Sequence, residues 1–513
     1  MSVMNNTAVN AAGHLTIGGC DTVELAAQYG TPLYVMDETT IRQALRDYKQ
    51  SIDDCYPQGG MVAYASKACS FKEMYRIVKQ EGCGIDVVSG GELYTAMQVD
   101  FPADRIYFHG NNKTVDELKM ALNYGVGRII VDNATELRRL SAVAGELGKT
   151  AHIYLRITPG IDAHTHSFIR TGQIDSKFGF TLENGDALEG VRQALALPGL
   201  ELKGLHCHIG SQIFDEQPFI HAAEVMLTFM RQIKDETGIV LPELNVGGGF
   251  GIRYTAEDHP KANGEYMQLV SAAARQKAKE LDFPFPYMVI EPGRSIVAPA
   301  GLTLYTVGGV KVIPGVRTYV SVDGGMTDNP RYALYQSAYT VVAANKADKP
   351  ATGKATISGR CCESGDLIQE HVDLPDCEAG DTLAVLAGAA PLFFAGTGDE
   401  QTGNGDHAIY LYDETGKLTG SIPLAECCTD APYALDSDGT DYFMLFSDAV
   451  VRVGSDGTQL AKSGDMGGRL LQLVCADGSV YVCVEGDRIY QTEEIVRLNA
   501  QTLETEAELS CAG

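Results

Sequence analysis

Lys67, in the segment YASKA, directly follows a short apolar run. An amine at such a place is either a surface charge or a nucleophile able to condense with a carbonyl. His206 and His208 flank one residue in GLHCHIGSQ. On a strand that spacing turns both rings to one face and Cys207 to the other. Such a pair can bind a metal, pack as neutral imidazoles, or lay a flat ring on a flat ligand. No carboxylate or third histidine at a suitable spacing completes a zinc set, so no metal is expected. Ser211 follows with a hydroxyl within reach of an anion. In GGGFG (247–251), Gly248 and Gly249 let backbone N–H groups approach an anion, although glycine turns also occur without a ligand. IEPGRS places Glu291 at the end of another apolar run, with Gly293 and Arg294 just beyond, suited to phosphate or carboxylate. A buried glutamate there has to meet a cation or a proton donor.

All of these residues sit at the ends of strand-like segments. From residue 60, short apolar runs alternate with amphipathic stretches, the pattern of βα units in a parallel sheet. The runs are MVAYAS (61–66), GIDVV (84–88), RIYFH (105–109), RIIVD (128–132), HIYLRI (152–157), LKGLHCHI (202–209), LPELNV (241–246) and YMVIE (287–291). Between them, SFKEMYRIVKQEG and TVDELKMALNYG read as helices ending at a glycine. Eight units predict an α/β fold with a TIM-type (β/α)8 barrel over residues 36–295. An open doubly wound sheet is the alternative, but no GxGxxG follows the first run. In a barrel the strand C-termini line the active site, and here those ends are polar.

A lysine for an imine, a carboxylate for a pyridinium nitrogen, a ring for stacking and glycine loops for a phosphate are the requirements of pyridoxal 5'-phosphate (PLP). The chain also resembles the fold-type III PLP decarboxylases, and among them the diaminopimelate decarboxylases, over roughly residues 12–388. The resemblance rests on YASKA, DVVSGGEL (86–93), FHGNNK (108–113), THSFIRTGQIDSKFGF (165–180), GLHCHIGSQ, GGGFG, EPGRS, VDGGMTDNPRYALY (322–335) and CESGD (362–366), in that order. It implies that Lys67 carries PLP as a Schiff base, that His208 stacks on its ring and that Glu291 binds its pyridine nitrogen. Ser211, Gly248, Gly249, Gly293 and Arg294 would surround the phosphate. Arg294, Arg331 and Tyr335 would hold the substrate's distal carboxylate and Glu363 its distal amine, with Cys362 as proton donor. In that family CESGD reaches the site from a second subunit, which implies a homodimer with shared active sites. The implied reaction converts meso-2,6-diaminopimelate to L-lysine. Alternatives are a sibling acting on ornithine, arginine or carboxynorspermidine, or an inactive homologue that serves as a binding protein.

Beyond the barrel, residues 296–391 read as a β domain, with runs LTLYTVGGVKVI, RTYVSVDGG, KATISG and DTLAVLAG, and residues 1–35 contain TPLYV, a strand that could join it. The family continues with a GAY motif whose tyrosine contacts cofactor and substrate; Ala390 stands in that place, and no matching helix follows. Residues 392–513 turn acidic and repetitive. Leu418, Leu460 and Leu503 lie about 42 residues apart, and SDGTDYFML recurs as ADGSVYVCV about 39 later, a period resembling partial β-propeller blades.

A net charge of −27 argues against nucleic acid and against anionic membrane surfaces. No apolar run is long enough to span a bilayer. The opening stretch lacks the basic and apolar regions of a secretory signal, and the 13 cysteines form no CxxC pair, so a cytoplasmic, reduced protein is expected.

Overall fold

The computed structural model describes residues 4–161, 176–387 and, beyond 407, ten strands with a few flanking residues up to 510. The chain divides into two units, Met1–Phe394 and Ala395–Gly513.

In the first unit, apolar runs too short for helices pair side by side as strands. They are Gly60–Ala65, Gly84–Val87, Ile106–Phe108, Arg128–Val131, Ala151–Thr158, Leu200–His206, Glu243–Asn245 and Tyr287–Ile290, called here the first to eighth barrel strands. Every neighbouring pair is parallel. The ring closes where the eighth strand pairs with the first (Met288↔Gly60), and where the fourth pairs with the fifth (Ile129↔Ile153). The eight runs thus form a closed TIM-like barrel, with Phe180–Thr181 as a short extra strand paired to Ile157 and Thr158 of the fifth. Alternate residues face in and out. Ala63, Tyr107, Ile130, Tyr154 and Val289 fill the interior, whereas Val62, Tyr64, Ile85 and Val87 join the larger core beneath the helices.

Local chemistry starts and stops those helices. Val115–Tyr124 opens on a capping box in which Thr114 and Glu117 satisfy each other's backbone N–H, and it ends at Gly125 in the left-handed region, φ 88°. Lys72–Gln80 buries Met74, Tyr75, Ile77 and Val78 on one face and leaves its charges outside.

After the eighth strand the chain enters a second sheet. Its order runs Val341–Ala343, Thr382–Leu386, Gly301–Ile313, Arg317–Val322, Gly353–Ser358, Leu367–Leu374. Leu33–Met36 pairs antiparallel with Gly301–Leu304 of this sheet. Thr7–Val9, Leu15–Ile17 and Cys20–Asp21 instead form a small sheet of their own. Met4, Leu15 and Ile17 nevertheless pack with Leu302, Leu304, Ala384 and Leu386.

The second unit contains a hairpin, Ala408–Tyr412 with Leu418–Pro423, and two four-stranded antiparallel meanders spanning 434–462 and 470–510. SDGTDYFML and ADGSVYVCV each carry the second strand of a meander, Tyr442–Leu445 and Ser479–Glu485. Of the leucine repeat, Leu418 opens the second strand of the hairpin, Leu460 lies in the last strand of the first meander and Leu503 in the turn before the last strand of the second. Phe443 and Val450 of one meander share a core with Leu473, Val480, Val496 and Leu503 of the other.

Candidate active site

Glu291 follows the eighth strand and is 7% exposed. Its Oε1 accepts hydrogen bonds from His109 Nε2 at 2.7 Å and Asn245 Nδ2 at 2.6 Å, and its Oε2 accepts from His206 Nε2 at 3.2 Å. His109, His206 and Asn245 stand at the ends of the third, sixth and seventh strands, so barrel closure alone brings them together. Burial would raise the Glu291 carboxyl, but the electrostatic attraction and hydrogen bonds of His109 and His206 outweigh it and hold the group well below the usual carboxylate range. Burial pushes His206 down to about 4, more than Glu291 can restore, and the ring is neutral at pH 7. A carboxylate offers about four lone-pair sites, and three are used, which leaves one on Oε2 for a further donor.

Sequence spacing showed no carboxylate near the histidines, and the fold corrects this. Ligand atoms of His109, His206 and Glu291 lie within 4.8 Å of one another, the compactness of a metal triad. Both Nε2 atoms are engaged by the carboxylate itself, whereas among the described residues His206 Nδ1 is buried without a hydrogen-bond partner.

Lys67 lies in a single 3-10 turn, Ser66–Ala68, directly after the first strand, and is exposed. The neighbouring Ser66 Oγ donates to Glu92 Oε2 at 2.9 Å, and Val88 N donates to the same oxygen at 2.6 Å. Glu92 thereby ties the Lys67 turn to the second strand's loop. Asp86, on that strand, is pushed up to about 6 by burial, against the pull of His109 and Lys67.

The sixth strand stops at His206, so the two-residue alternation does not extend to His208. It lies in the loop, where Gly248 N donates to its Nδ1 at 3.4 Å. Burial first, then the nearby cations Lys67 and Arg156, hold His208 well below the ordinary imidazole value, which keeps the ring neutral. Ser211 Oγ accepts from Arg294 Nη2 at 3.0 Å and Nε at 3.3 Å, and Arg294 Nη1 donates to Tyr254 Oη at 2.6 Å. The glycines have a packing reason beyond anion approach. A Cβ on Gly248 would meet the Glu291 carbonyl oxygen at 2.0 Å, one on Gly249 the Gly210 carbonyl oxygen at 2.3 Å, and one on Gly293 the Ala65 Cβ at 2.9 Å.

Arg331 opens the short helix Arg331–Tyr335 and is buried over the ring of Tyr254 at 4.1 Å. Among the described residues its Nη1 is buried without a hydrogen-bond partner. Tyr335 ends that helix half-buried. Cys362 and Glu363 are exposed in the loop before Leu367–Leu374. Glu363 Oε1 accepts from Gly365 N at 3.2 Å, a bond within the loop itself. The loop is organised by buried Asp366, whose carboxylate accepts from Met326 N at 2.6 Å and Cys361 N at 2.7 Å. One chain therefore gathers Lys67, His208, Ser211, Glu291 and Arg294 at the barrel mouth, while Cys362 and Glu363 face outward. Residues 165–175 of the THSFIRTGQIDSKFGF motif and Ala390 lie outside the described residues.

Sequence reasoning missed His109, Asn245, Tyr254 and Asp366. Applying the strand-end rule to the third strand as well as to the first, sixth, seventh and eighth would have found His109. Asn245 immediately precedes the glycine run. Tyr254 and Asp366 carry no such positional signal.

A family model described as "Pyridoxal-dependent decarboxylase, pyridoxal binding domain" matches residues 38–298. The chain belongs to the pyridoxal-dependent decarboxylase family. It is 49% identical over 381 residues to diaminopimelate decarboxylase of Bacillus subtilis (strain 168), covering 74% of this chain and 87% of that protein. To the diaminopimelate decarboxylase of Staphylococcus aureus (strain COL) it is 41% identical over 382 residues, covering 74% and 89%. The crystal structure of diaminopimelate decarboxylase from M. jannaschii with L-lysine matches with a TM-score of 0.69 at 34% identity, covering 76% of this chain and 90% of that one.

Proposed function

We propose that the protein is a PLP-dependent diaminopimelate decarboxylase, which removes one carboxylate of meso-2,6-diaminopimelate to give L-lysine and CO2. The observation that carries this reading is the convergence of Lys67, His208 and Glu291 at the barrel mouth, in a chain 49% identical to a diaminopimelate decarboxylase. The donor set fits the cofactor: one lone pair remains on a buried, ionised carboxylate, and Lys67 makes no hydrogen bond or ion pair among the described residues.

When bound, PLP supplies an aldehyde for amines and an electron sink for the bond to the departing carboxylate. Lys67 Nζ is the amine that holds it between turnovers. Glu291, kept ionised, would pair with the pyridinium N–H, while His109, Asn245 and His206 fix the carboxylate's orientation. The neutral His208 ring would stack on the cofactor ring without adding charge. Arg294, Ser211 and the backbone at Gly248, Gly249 and Gly293 receive the phosphate.

Arg331 favours diaminopimelate over ornithine. Its buried guanidinium with an unpaired Nη1 suits a distal carboxylate and repels a distal ammonium. Tyr335 completes that end, with Arg294 nearby. The exposure of Cys362 and Glu363 supports their use in the site of a second copy, where the Cys362 thiol donates a proton to the substrate carbon and Glu363 binds the distal amine. A homodimer with shared sites follows. A thiol donor must stay reduced, which accords with a cytoplasmic location; no described helix is long and apolar enough to cross a membrane. For residues 392–513 we read the meanders and hairpin as successive propeller-like blades.

The test is lysine and CO2 formation from meso-diaminopimelate by the purified holoenzyme, beside ornithine, arginine and carboxynorspermidine. Turnover of meso-diaminopimelate, with loss of the visible cofactor band in Lys67→Ala, is expected. Turnover of ornithine alone, or of none of the four, overturns the reading.

A further inference from the structure

Tyr254 stands between the two arginines of the site. Its hydroxyl accepts from Arg294 Nη1 at 2.6 Å, and its ring lies under the Arg331 guanidinium, 4.1 Å from the centroid. Tyr339 adds a second ring 5.3 Å from Arg331 and meets Tyr254 edge-on, with centroids 5.6 Å apart at 80°. Tyr254 and Tyr339 are 4% and 5% exposed, so these cation–π contacts are desolvated and correspondingly strong. The backbone of Tyr254 is fixed from two directions. Its N–H donates to Asp258 Oδ2 at 2.9 Å, and its carbonyl accepts from Thr340 Oγ1 at 2.8 Å.

The two guanidinium groups are held in different ways. Arg294 has Nε and Nη2 on Ser211 and Nη1 on Tyr254, so three of its five N–H groups aim the group and two remain for an anion. Arg331 is held through its flat face and by the Tyr339 side chain, and among the described residues Nη1 keeps its hydrogens unpaired in the plane where a carboxylate binds. We infer that Tyr254 is a positioning residue with two separable halves. Its hydroxyl aims Arg294 at the cofactor phosphate, and its ring sets Arg331 at the distance that selects a substrate with a distal carboxylate. The inference deepens the proposed function and rests on its assignment of Arg294 and Arg331.

Two variants separate the halves. Tyr254→Phe removes the hydroxyl and keeps the ring, so the free PLP concentration for half-occupancy, read from cofactor absorbance, should rise roughly 10-fold or more while KM for meso-diaminopimelate stays within about twofold. Tyr254→Leu also removes the ring and should raise that KM roughly 10- to 30-fold. It should spare any residual turnover of ornithine, which has no distal carboxylate, so discrimination between the two collapses. Tyr339→Leu should raise KM by a smaller factor without moving cofactor affinity, and it carries the ring half of the test if Tyr254→Leu does not fold. Equal movement of cofactor affinity and KM in Tyr254→Phe, or an unchanged substrate ratio in the leucine variants, overturns the inference. If the wild-type enzyme has no activity on meso-diaminopimelate, the functional reading fails instead, and the PLP titration of Tyr254→Phe still decides the hydroxyl half.

Discussion

The barrel mouth and the Cys361–Asp366 loop belong to one proposed site, yet the chain treats them in opposite ways. At the mouth, Glu291 is buried and receives three hydrogen bonds from the ends of three other strands. The loop is fixed at its base by Asp366, while Cys362 and Glu363 at its tip remain exposed. Cofactor binding is thus built into a single fold, because closing the barrel assembles it. In the proposed function, proton donation is left on a surface and becomes useful only where another chain presents its own mouth. The difference separates two measurable properties, cofactor affinity and turnover.

The largest break in that comparison should come from Lys67→Ala, which removes the attachment point. Turnover should fall to background, and the visible cofactor band should vanish from the spectrum of the purified protein. Cys362→Ala should lower kcat by about 10²- to 10⁴-fold, the usual worth of a positioned proton donor, with the cofactor spectrum and affinity unchanged. Glu291→Ala should affect the mouth as a whole. It strips three buried donors of their acceptor, and a loss of about 3–5 kcal/mol in denaturant-measured stability, with weakened PLP binding, is expected. Asp366→Ala should affect the loop alone. Two backbone N–H groups lose their acceptor at about 1–3 kcal/mol each, and kcat should fall while cofactor affinity holds.

The smallest effect is on pH dependence. His206 titrates at about 4 in the folded protein, below its ordinary value of 6.5. As pH falls, the unfolded chain takes up that proton first. The stability contributed by the neutral ring is therefore complete above about pH 6.5 and is lost toward pH 4, by at most about 1.4 kcal/mol per pH unit. Denaturation midpoints across that range should fall less steeply in His206→Asn, which retains a donor for Glu291.

Much of the barrel was legible because burial imposes a period. All eight apolar runs became strands, and the chosen strand ends supplied Lys67, His206 and Glu291. The boundary of the sixth strand was less visible, since nothing in GLHCHIGSQ marks the stop at His206, and the assignment of His208 to the same face followed from that. Val341–Ala343 and Leu367–Leu374 were missed because one is very short and the other, LIQEHVDL, carries charges on a half-exposed strand. Partnerships between distant positions were the least legible. Glu291 and His109 are 182 residues apart, and Tyr254 meets Arg331 and Arg294 from a loop with no regular pattern. Asp366 is an acidic residue beside a glycine, which reads as a surface turn until Gly325 and Gly359 are seen making room for its carboxylate.

The division between a self-contained mouth and a shared loop is tested most directly by mixing inactive chains. Lys67→Ala and Cys362→Ala proteins, combined in equal amounts and allowed to exchange subunits, would form hybrid dimers with one site in which both residues are intact. Diaminopimelate decarboxylation should return to about a quarter of the wild-type rate, because half the dimers are hybrid and each has one working site of two. A mixture as inactive as its parents, with hybrid dimers demonstrated by differential tagging, would contradict this division and place Cys362 outside its neighbour's site.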